Sequence, residues 1–452
     1  MEISPEDVKQ ETDHVARICD VNKEKLAFMQ QKISRTPWLL KSSAGRRSCC
    51  IFRVPQSLID VNGKAYQPHI VSIGPYHHGE SQLKMIEEHK WRFLGSLLSR
   101  TESKGLGLED YVRTVKSLEE KARECYSETI GLDSDEFVEM MVLDGCFVIE
   151  LFRIVGRCVQ GDHADPIFSM SWVFPFILRD LIRLENQLPF FVLESLFDLS
   201  QMPGDESGPS LVKLALEFFN NAVQRPDEII NKYEKLRLQP KHLLDLFRSS
   251  FIPESQPEPQ KSTSSTQVIQ CVKRLRRAGI QFRKVEADSF LDVKFRNGVF
   301  KMPTITIDDF MGSFFLNCVA YEQCHRHCSK HITTYATLLD CLIDTPKDVG
   351  YLSKHNIIEN YFGTDADIAD LFNNLGKDVA FDIQRCYLTK LFDDVNTYYD
   401  SHWHVYWASL KNTYFNSPWS FISLFAAVVL LLLTMAQTFF NVFAYFYPPH
   451  QL

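Results

Sequence analysis

The chain has no charged residue after Lys411, and this absence is the strongest signal in its 452 residues. Within the uncharged stretch, Phe421 to Phe440 reads FISLFAAVVLLLLTMAQTFF. Twenty helical residues span about 30 Å, which matches the hydrocarbon core of a bilayer. A buried core helix is the alternative, but such helices are seldom apolar on every face or flanked by aromatic residues at both ends. The sequence therefore predicts a transmembrane anchor at 417–447 and a short tail at 448–452.

The N-terminus lacks the features of a signal peptide. Its first residues, MEISPEDVKQ, are acidic and contain no apolar run, and Glu2 excludes N-myristoylation. The chain also has no Asn-x-Ser/Thr acceptor with a non-proline middle residue, and its twelve cysteines show no regular disulfide pattern. We therefore expect a single-pass, tail-anchored protein whose body faces the cytosol. Plasma membrane and endomembranes both remain open.

Charge and motifs limit the possible chemistry. With 49 basic and 57 acidic residues the net charge is −8, which argues against nucleic acid as the main partner. The chain has no GxxxxGK[ST] phosphate loop, no GxSxG elbow and no HExxH motif. The sequence thus predicts no cofactor. It favours a non-enzymatic role and leaves catalysis open.

Periodicity and turn signals predict a mainly α fold. Residues 1–47 form a charged extension, and 48–416 form a mostly helical globular domain. A segment rich in proline, serine and threonine at 252–267 is predicted to be a mobile linker between two lobes. Asn297-Gly298, between alternating apolar residues, predicts a small β-hairpin. Thr345 and Thr364 each precede an acid by three residues, which is typical of a helix start.

A stretch rich in cysteine and histidine is the first candidate site. On one continuous helix, Cys324, Cys328 and His331 would share a face at i, i+4 and i+7. Three such ligands suit Zn²⁺, but structural zinc sites usually add a ligand pair from a distant segment, and the chain has no Cys-x-x-Cys. We therefore expect no metal. The alternative is a helix that buries its cysteines and exposes its histidines.

Acidic residues in apolar surroundings are the second candidate. Asp144 and Glu185 occur at helical spacing from large apolar residues, and Asp180 and Arg183 lie in the same segment as Glu185. An ionised carboxylate in a core needs a cation or a proton, so nearby arginines such as Arg53, Arg153, Arg179 or Arg183 are expected to compensate the charge. The four residues are therefore predicted to form a structural polar core. The alternative is an acid/base pair with raised pKa values in an enzyme's cleft.

The predicted membrane anchor, together with the lack of catalytic motifs, favours a protein-recognition or signalling scaffold. The expected partners are the lipid bilayer, through the C-terminal helix, and a protein whose identity is open. A homo- or hetero-oligomer is possible. Besides the enzyme, the sequence leaves one other alternative: a lipid- or small-ligand-binding module in the aromatic stretch from Trp172 to Phe191.

Several stretches resemble a plant family catalogued as domain of unknown function 247. They are PHIVSIGPYHHG (68–79), EEHKWRFL (87–94), MMVLDGCFVIELFR (140–153), DLIRLENQLPFFVLE (180–194), AGIQF (278–282), FLDVKFRNGVFKMPTITID (290–308) and CLIDTPKDV (341–349). The resemblance implies a C-terminal membrane helix, which family members typically carry. It supplies no catalytic residue. Some members in grasses are associated with self-incompatibility between pollen and stigma, which implies recognition at or near a membrane.

Overall fold

The computed structural model describes residues 22–35, 37–162, 164–202, 208–236, 239–253, 267–377, 379–401 and 418–446. Helices make up 60% of the structure, which confirms the mainly α fold class. The helices are α1 (Lys23–Ser34), α2 (Gln56–Asn62), α3 (Lys84–Thr101), α4 (Leu108–Glu124), α5 (Ser134–Val155), α6 (Pro166–Ser169), α7 (Val173–Asp180), α8 (Phe190–Leu199), α9 (Leu211–Val223), α10 (Asp227–Lys235), α11 (Leu243–Ser249), α12 (Val272–Arg277), α13 (Asp309–Cys324), α14 (His331–Leu342), α15 (Pro346–Lys354), α16 (Asp365–Leu375), α17 (Thr389–Asp400) and α18 (Pro418–Phe446). The strands are β1 (Gln281–Val285), β2 (Lys294–Arg296), β3 (Val299–Pro303), β4 (Ile305–Ile307) and β5 (Ile358–Asn360).

Helix α5 is the centre of the N-terminal half. Every residue from Met140 to Arg153 is buried, because α3, α4, α8 and α9 pack around it. Its start is set by Asp133, whose carboxylate accepts hydrogen bonds from the amides of Asp135 and Glu136. A helix this apolar is stable only inside a bundle, and it brings Asp144 to the centre of the core.

The predicted hairpin is present between β2 and β3. Asn297 and Gly298 have φ values of +51° and +74°, as a tight turn with two left-handed residues requires. Phe295 faces Phe300 in the antiparallel register. The sequence did not reveal the neighbours of this hairpin: β1 pairs with β3 in parallel, and β4 leaves the hairpin to pair with β5 in a separate two-stranded sheet.

The predicted linker falls mainly on residues 254–266, which lie outside the described residues. On its two sides the apolar core is continuous. Phe247, from before the linker, has its ring centroid 5.7 Å from Phe310 and 5.1 Å from Phe314, both after it. The division into two lobes stays a prediction.

Helix α18 has 29 residues and includes both predicted span ends, Phe421 and Phe440. Its segment Phe425–Phe443 has a mean hydropathy of 2.0, and none of it is buried against the rest of the chain. By length and composition it is the single helix among the described residues that could cross a membrane. The predicted tail at 448–452 lies outside those residues.

Candidate functional site: a buried polar core and a surface groove

Residues 68–79 form an irregular segment that is largely buried. Ile70, Val71 and Ile73 are at most 8% exposed, yet the segment belongs to no helix or strand. A buried backbone without regular structure must find other partners for its N–H and C=O groups, since leaving them unpaired costs free energy. Here those partners are side chains from three distant parts of the sequence.

Asp180, at the end of α7, holds the start of this segment. Its fully buried carboxylate accepts hydrogen bonds from the amides of His69, Ile70 and Val71 at 2.8–3.1 Å. Arg183 donates from Nε to the same carboxylate at 3.1 Å. Burial lowers the pKa of the Arg183 guanidinium, and the charge of Asp180 opposes that effect. Asp180 is thus a backbone-binding residue with its own buried cation.

Asn186 and Gly74 belong to the contact between the segment 68–79 and residues 180–187. The Asn186 side chain accepts from the amide of Ile73 at 2.7 Å and donates to the carbonyl of Val71 at 3.1 Å. Gly74 has a φ of +80°, and a Cβ atom there would lie 2.5 Å from the carbonyl oxygen of Gln187. Glycine is therefore required at this position both by the backbone conformation and by the close approach of the two segments.

Asp144 and Lys90 form a fully buried ion pair in the core. Lys90 Nζ lies 2.5 Å from Asp144 Oδ1 and also donates to the carbonyl of Ser72 at 2.6 Å. Asp144 Oδ2 accepts from the amide of Gly74 at 2.8 Å. Burial raises the pKa of the Asp144 carboxyl, although Lys90 opposes the increase. The sequence predicted an arginine partner for Asp144; the partner is Lys90, which occupies an apolar-stripe position of α3 between Ile86 and Leu94.

Glu185 lies beside the later part of the segment, near Tyr76 and His77. Its carboxylate accepts from Arg53 and from the amide of Val54, both at 2.7 Å, and lies 3.2 Å from Nε2 of His77. Arg53 also donates to the carbonyl of Tyr76 at 2.9 Å. Burial by itself would raise the pKa of Glu185, but the contacts with His77, Val54 and Arg53 outweigh it and leave the pKa below its ordinary value.

The structure therefore gathers Asp144, Asp180, Arg183 and Glu185 around one segment. Each carboxylate accepts at least one backbone amide, and Asp144 and Asp180 have no exposed surface. A catalytic acid must reach a substrate, whereas these groups support a buried backbone. This geometry favours the structural interpretation over the acid/base pair. We call these four residues, with Lys90, the polar core.

A further buried ion pair, which the sequence did not indicate, joins α11 to α13. Glu322 is fully buried and lies 2.6 Å from Nε of Arg248. The Glu322 carboxylate also accepts from the amides of Ile332 and Thr333 in the first turn of α14. Burial alone would lower the pKa of Arg248, but the Glu322 charge raises it instead.

The same contact explains why the helical prediction for the cysteine and histidine stretch is wrong. Helix α13 ends at Cys324 and α14 begins at His331, so the chain turns between them and Cys324, Cys328 and His331 share no helical face. Glu322 binds the free amides of α14, which requires the chain to fold back. No group of three metal-ligating side chains occurs among the residues that the structure describes.

The buried side chain of His331 is expected to make the stability of the fold depend on pH. Burial lowers its pKa to about 4, and neither ring nitrogen has a hydrogen-bond partner among the described residues. The native state therefore keeps it neutral while the unfolded chain binds a proton below the ordinary pKa of 6.5. Stability should fall as the pH drops from 6.5 to 4, by up to about 1.4 kcal/mol per pH unit from this residue.

Urea unfolding across this pH range measures the effect. The variant His331→Leu should lose less stability on acidification than the wild type, because the titrating group is gone. The exposed His78→Leu is the matched control and should retain the wild-type pH dependence. Equal acid sensitivity of His331→Leu and the wild type would contradict the assignment.

A surface groove of about 600 Å³ lies between α10, the β1–β2 connection and the two-stranded sheet. Arg225 lines it, with its guanidinium 4.2 Å from the ring centroid of Phe251 and donating to the carbonyl and hydroxyl oxygens of Ser250. Among the described residues its buried Nε has no acceptor, and no acidic side chain forms an ion pair with its guanidinium. Burial lowers the pKa of Arg225 to about 10.

The rest of the groove is acidic. Four acids line it, namely Glu286, Asp288, Asp308 and Glu359. Glu286 pairs with Lys284, and Asp288 pairs with Lys232 at 3.6 Å, whereas Glu359 is exposed and accepts from the hydroxyl of Thr306. Tyr361 adds an aromatic ring that is 75% exposed. The groove thus offers an apolar surface and excess negative charge.

None of the polar-core acids lines this groove. The aromatic stretch from Trp172 to Phe191, predicted as a possible ligand module, is also absent from its lining; Ile177, Leu181 and Phe190 in that stretch are buried in the core. The sequence had not singled out Arg225 or Glu359. Their only local signal is charge beside a Gly- or Pro-containing connection, which is common on any surface.

The chain is similar to known plant proteins over nearly its whole length. A UPF0481 protein of Arabidopsis thaliana is 38% identical over 437 residues, covering 91% of this chain and 90% of the relative. A putative UPF0481 protein of the same plant is 25% identical over 488 residues, covering 88% of this chain and 90% of the relative. No solved structure matches the chain.

The family model described as a plant protein of unknown function, DUF247, matches residues 51–433. That range contains every member of the polar core and the groove, and it extends into α18. Four of the seven stretches that carry the resemblance meet in the polar core, namely 68–79, 87–94, 140–153 and 180–194. The chain therefore belongs to the plant DUF247 family.

Proposed function

We propose that the protein is held at a membrane by α18 and that its body recognises a partner protein in the groove. The first half of this proposal is supported by the length, hydropathy and complete exposure of Phe425–Phe443. Exposed apolar helices of this size need a covering, and a bilayer supplies one. Lys390 and Lys411 precede the span on the side of the body, and this charge distribution supports a cytosolic body.

The observation that carries the second half is the acidic and partly apolar lining of the groove. Glu359 and Asp308 favour a cationic side chain, and Phe251 and Tyr361 offer apolar contacts. A basic segment of a partner protein that also carries apolar residues combines these two features. The groove volume is within the range of binding clefts.

Peptide selection against the full chain in lipid nanodiscs tests this proposal. We expect selected peptides to be rich in lysine and arginine beside apolar residues. The double variant Asp288→Lys and Glu359→Lys should weaken their binding by about tenfold or more, because like charges then face each other across the interface. The control is Glu139→Lys, an exposed acid on α5 outside the groove, which should bind as the wild type does.

Two results would contradict the proposal. One is a set of selected peptides without basic residues. The other is binding that the two rim substitutions leave unchanged while the variant remains folded by circular dichroism. Membrane fractionation of the same variants reports separately on α18, so the two halves of the proposal can fail independently.

A further inference from the structure

The segment that precedes the globular body is strongly basic. Residues 22–47 contain seven lysines and arginines against the single acid Glu24, in a chain whose net charge is −8. The basic residues are Lys23, Lys25, Lys32, Arg35, Lys41, Arg46 and Arg47. A local excess of this kind in an acidic protein points to an anionic surface as its counterpart.

Helix α1 in this segment has no buried residue. Leu26, Met29 and Ile33 follow one another at i, i+3 and i+7 and therefore share one face. They are 43%, 53% and 81% exposed. Lys23 and Lys25 flank that face, one on each side, at positions from which long side chains can reach headgroups while their stems stay apolar.

A second apolar group follows at Trp38, Leu39 and Leu40, which are 61%, 70% and 67% exposed. This group is fastened to the body: the carbonyl of Trp38 accepts from the amide of Thr129 at 3.1 Å, and Lys41 Nζ donates to the carbonyl of Arg123 at 2.9 Å. The body thus holds three large apolar side chains at its surface, directly after a helix with an uncovered apolar face.

We propose that residues 22–41 are a second membrane contact, in which α1 lies in the plane of an anionic leaflet with Leu26, Met29 and Ile33 in the interface and Trp38 beside them. The combination of lysines flanking a short apolar face with a nearby tryptophan is typical of interfacial helices. The basic charge favours anionic lipid over a second copy of the same segment, which it would repel. The contact is reversible and depends on charge, unlike insertion of α18.

This second contact would fix how the body faces the bilayer. A single helix tethers a domain without defining its orientation, whereas two contacts restrict it. The inference does not depend on peptide recognition in the groove. The proposed contact needs only the surface of a membrane. Amide exchange of α1 measures this contact, whereas flotation measures the insertion of α18.

Hydrogen exchange on the full chain in vesicles provides the test. Vesicles of phosphatidylcholine alone are compared with vesicles that also contain phosphatidylserine. We expect amides of α1 to exchange about tenfold more slowly, or slower still, with the anionic lipid, and added salt should reverse this protection. Flotation of the same samples reports insertion of α18, which neutral vesicles also support.

The matched variants are Ile33→Glu, on the apolar face, and Gln31→Glu, on the opposite face of α1. Both add one negative charge at an exposed site, so folding of the body is not at risk. Ile33→Glu should abolish the protection, and Gln31→Glu should largely retain it. Equal exchange in the two vesicle types would overturn the inference. If that equal exchange were slow, the acidic residues 1–20 or a second copy would cover the apolar face of α1 in place of anionic lipid.

Discussion

Replacing Asp180 with alanine is expected to lower the free energy of unfolding by about 3–5 kcal/mol. The substitution removes the acceptor for the amides of His69, Ile70 and Val71 and leaves Arg183 buried without its counterion. Those donors lie where water cannot replace the carboxylate, since Asp180 is fully buried. Asp180→Asn should cost less, because the amide oxygen still accepts one of the bonds while the charge is lost.

Urea unfolding of the full chain in detergent micelles measures this loss. The control is Asp370→Ala in α16, an exposed aspartate without an ion pair among the described residues, and it should leave the unfolding midpoint unchanged. A midpoint for Asp180→Ala equal to that of the control would contradict the structural role. A variant too unstable to purify would agree with it, and Asp180→Asn then supplies the graded measurement.

Removing residues 417–452 is expected to move nearly all of the protein from the membrane fraction to the soluble fraction. The deleted part includes the span Phe425–Phe443, of which none is buried against the body, so the body loses no packing. Insertion of a transmembrane helix is effectively irreversible, whereas a peripheral contact is weak and reversible. The full chain should therefore stay with membranes during a wash with concentrated salt.

The truncated chain separates the two kinds of attachment. At low salt the basic segment 22–47 can retain part of it on anionic membranes, and salt should release that part because screening weakens the contact. Circular dichroism of the released protein checks that the body is still helical. A truncated chain that remains in the pellet after the salt wash would contradict anchoring by α18.

Local sequence signals predicted the parts of the fold that depend on neighbours in the chain. The uncharged run predicted the helix α18, and Asn297-Gly298 predicted the turn between β2 and β3, because both depend on consecutive residues of the chain. The capping boxes at Thr345 and Thr364 are confirmed at the starts of α15 and α16. In each case the physical cause lies in residues that are neighbours in the sequence.

The polar core could be predicted only in outline. Periodicity predicted Asp144 and Glu185 as acids in apolar surroundings, but it does not say which cation lies opposite. Lys90 was visible as a charge within an apolar stripe, and it is 54 positions away from Asp144. The turn between Cys324 and His331 has no proline or glycine to mark it, since it depends on capping by Glu322.

Recognition sites were harder still to predict. The groove brings Arg225 together with Glu359, which is 134 positions later, and each is an ordinary surface charge when seen alone. Only the packing of α9 and α10 beside the two-stranded sheet makes them neighbours. The sequence also could not indicate that Arg225 Nε lacks an acceptor among the described residues, because an unsatisfied donor is a property of the folded surroundings.

The central claim is that four of the stretches that carry the family resemblance (68–79, 87–94, 140–153 and 180–194) build a closed polar core, and that recognition takes place elsewhere on the body. Amide hydrogen exchange of the unmodified full chain at His69, Ile70 and Val71 tests it most directly. The account predicts that these amides, although outside any helix or strand, exchange as slowly as the core amides of α5, because only global unfolding releases them from Asp180. Exchange at the rate of an exposed loop would contradict the claim, since the segment would then be open to solvent and to a substrate.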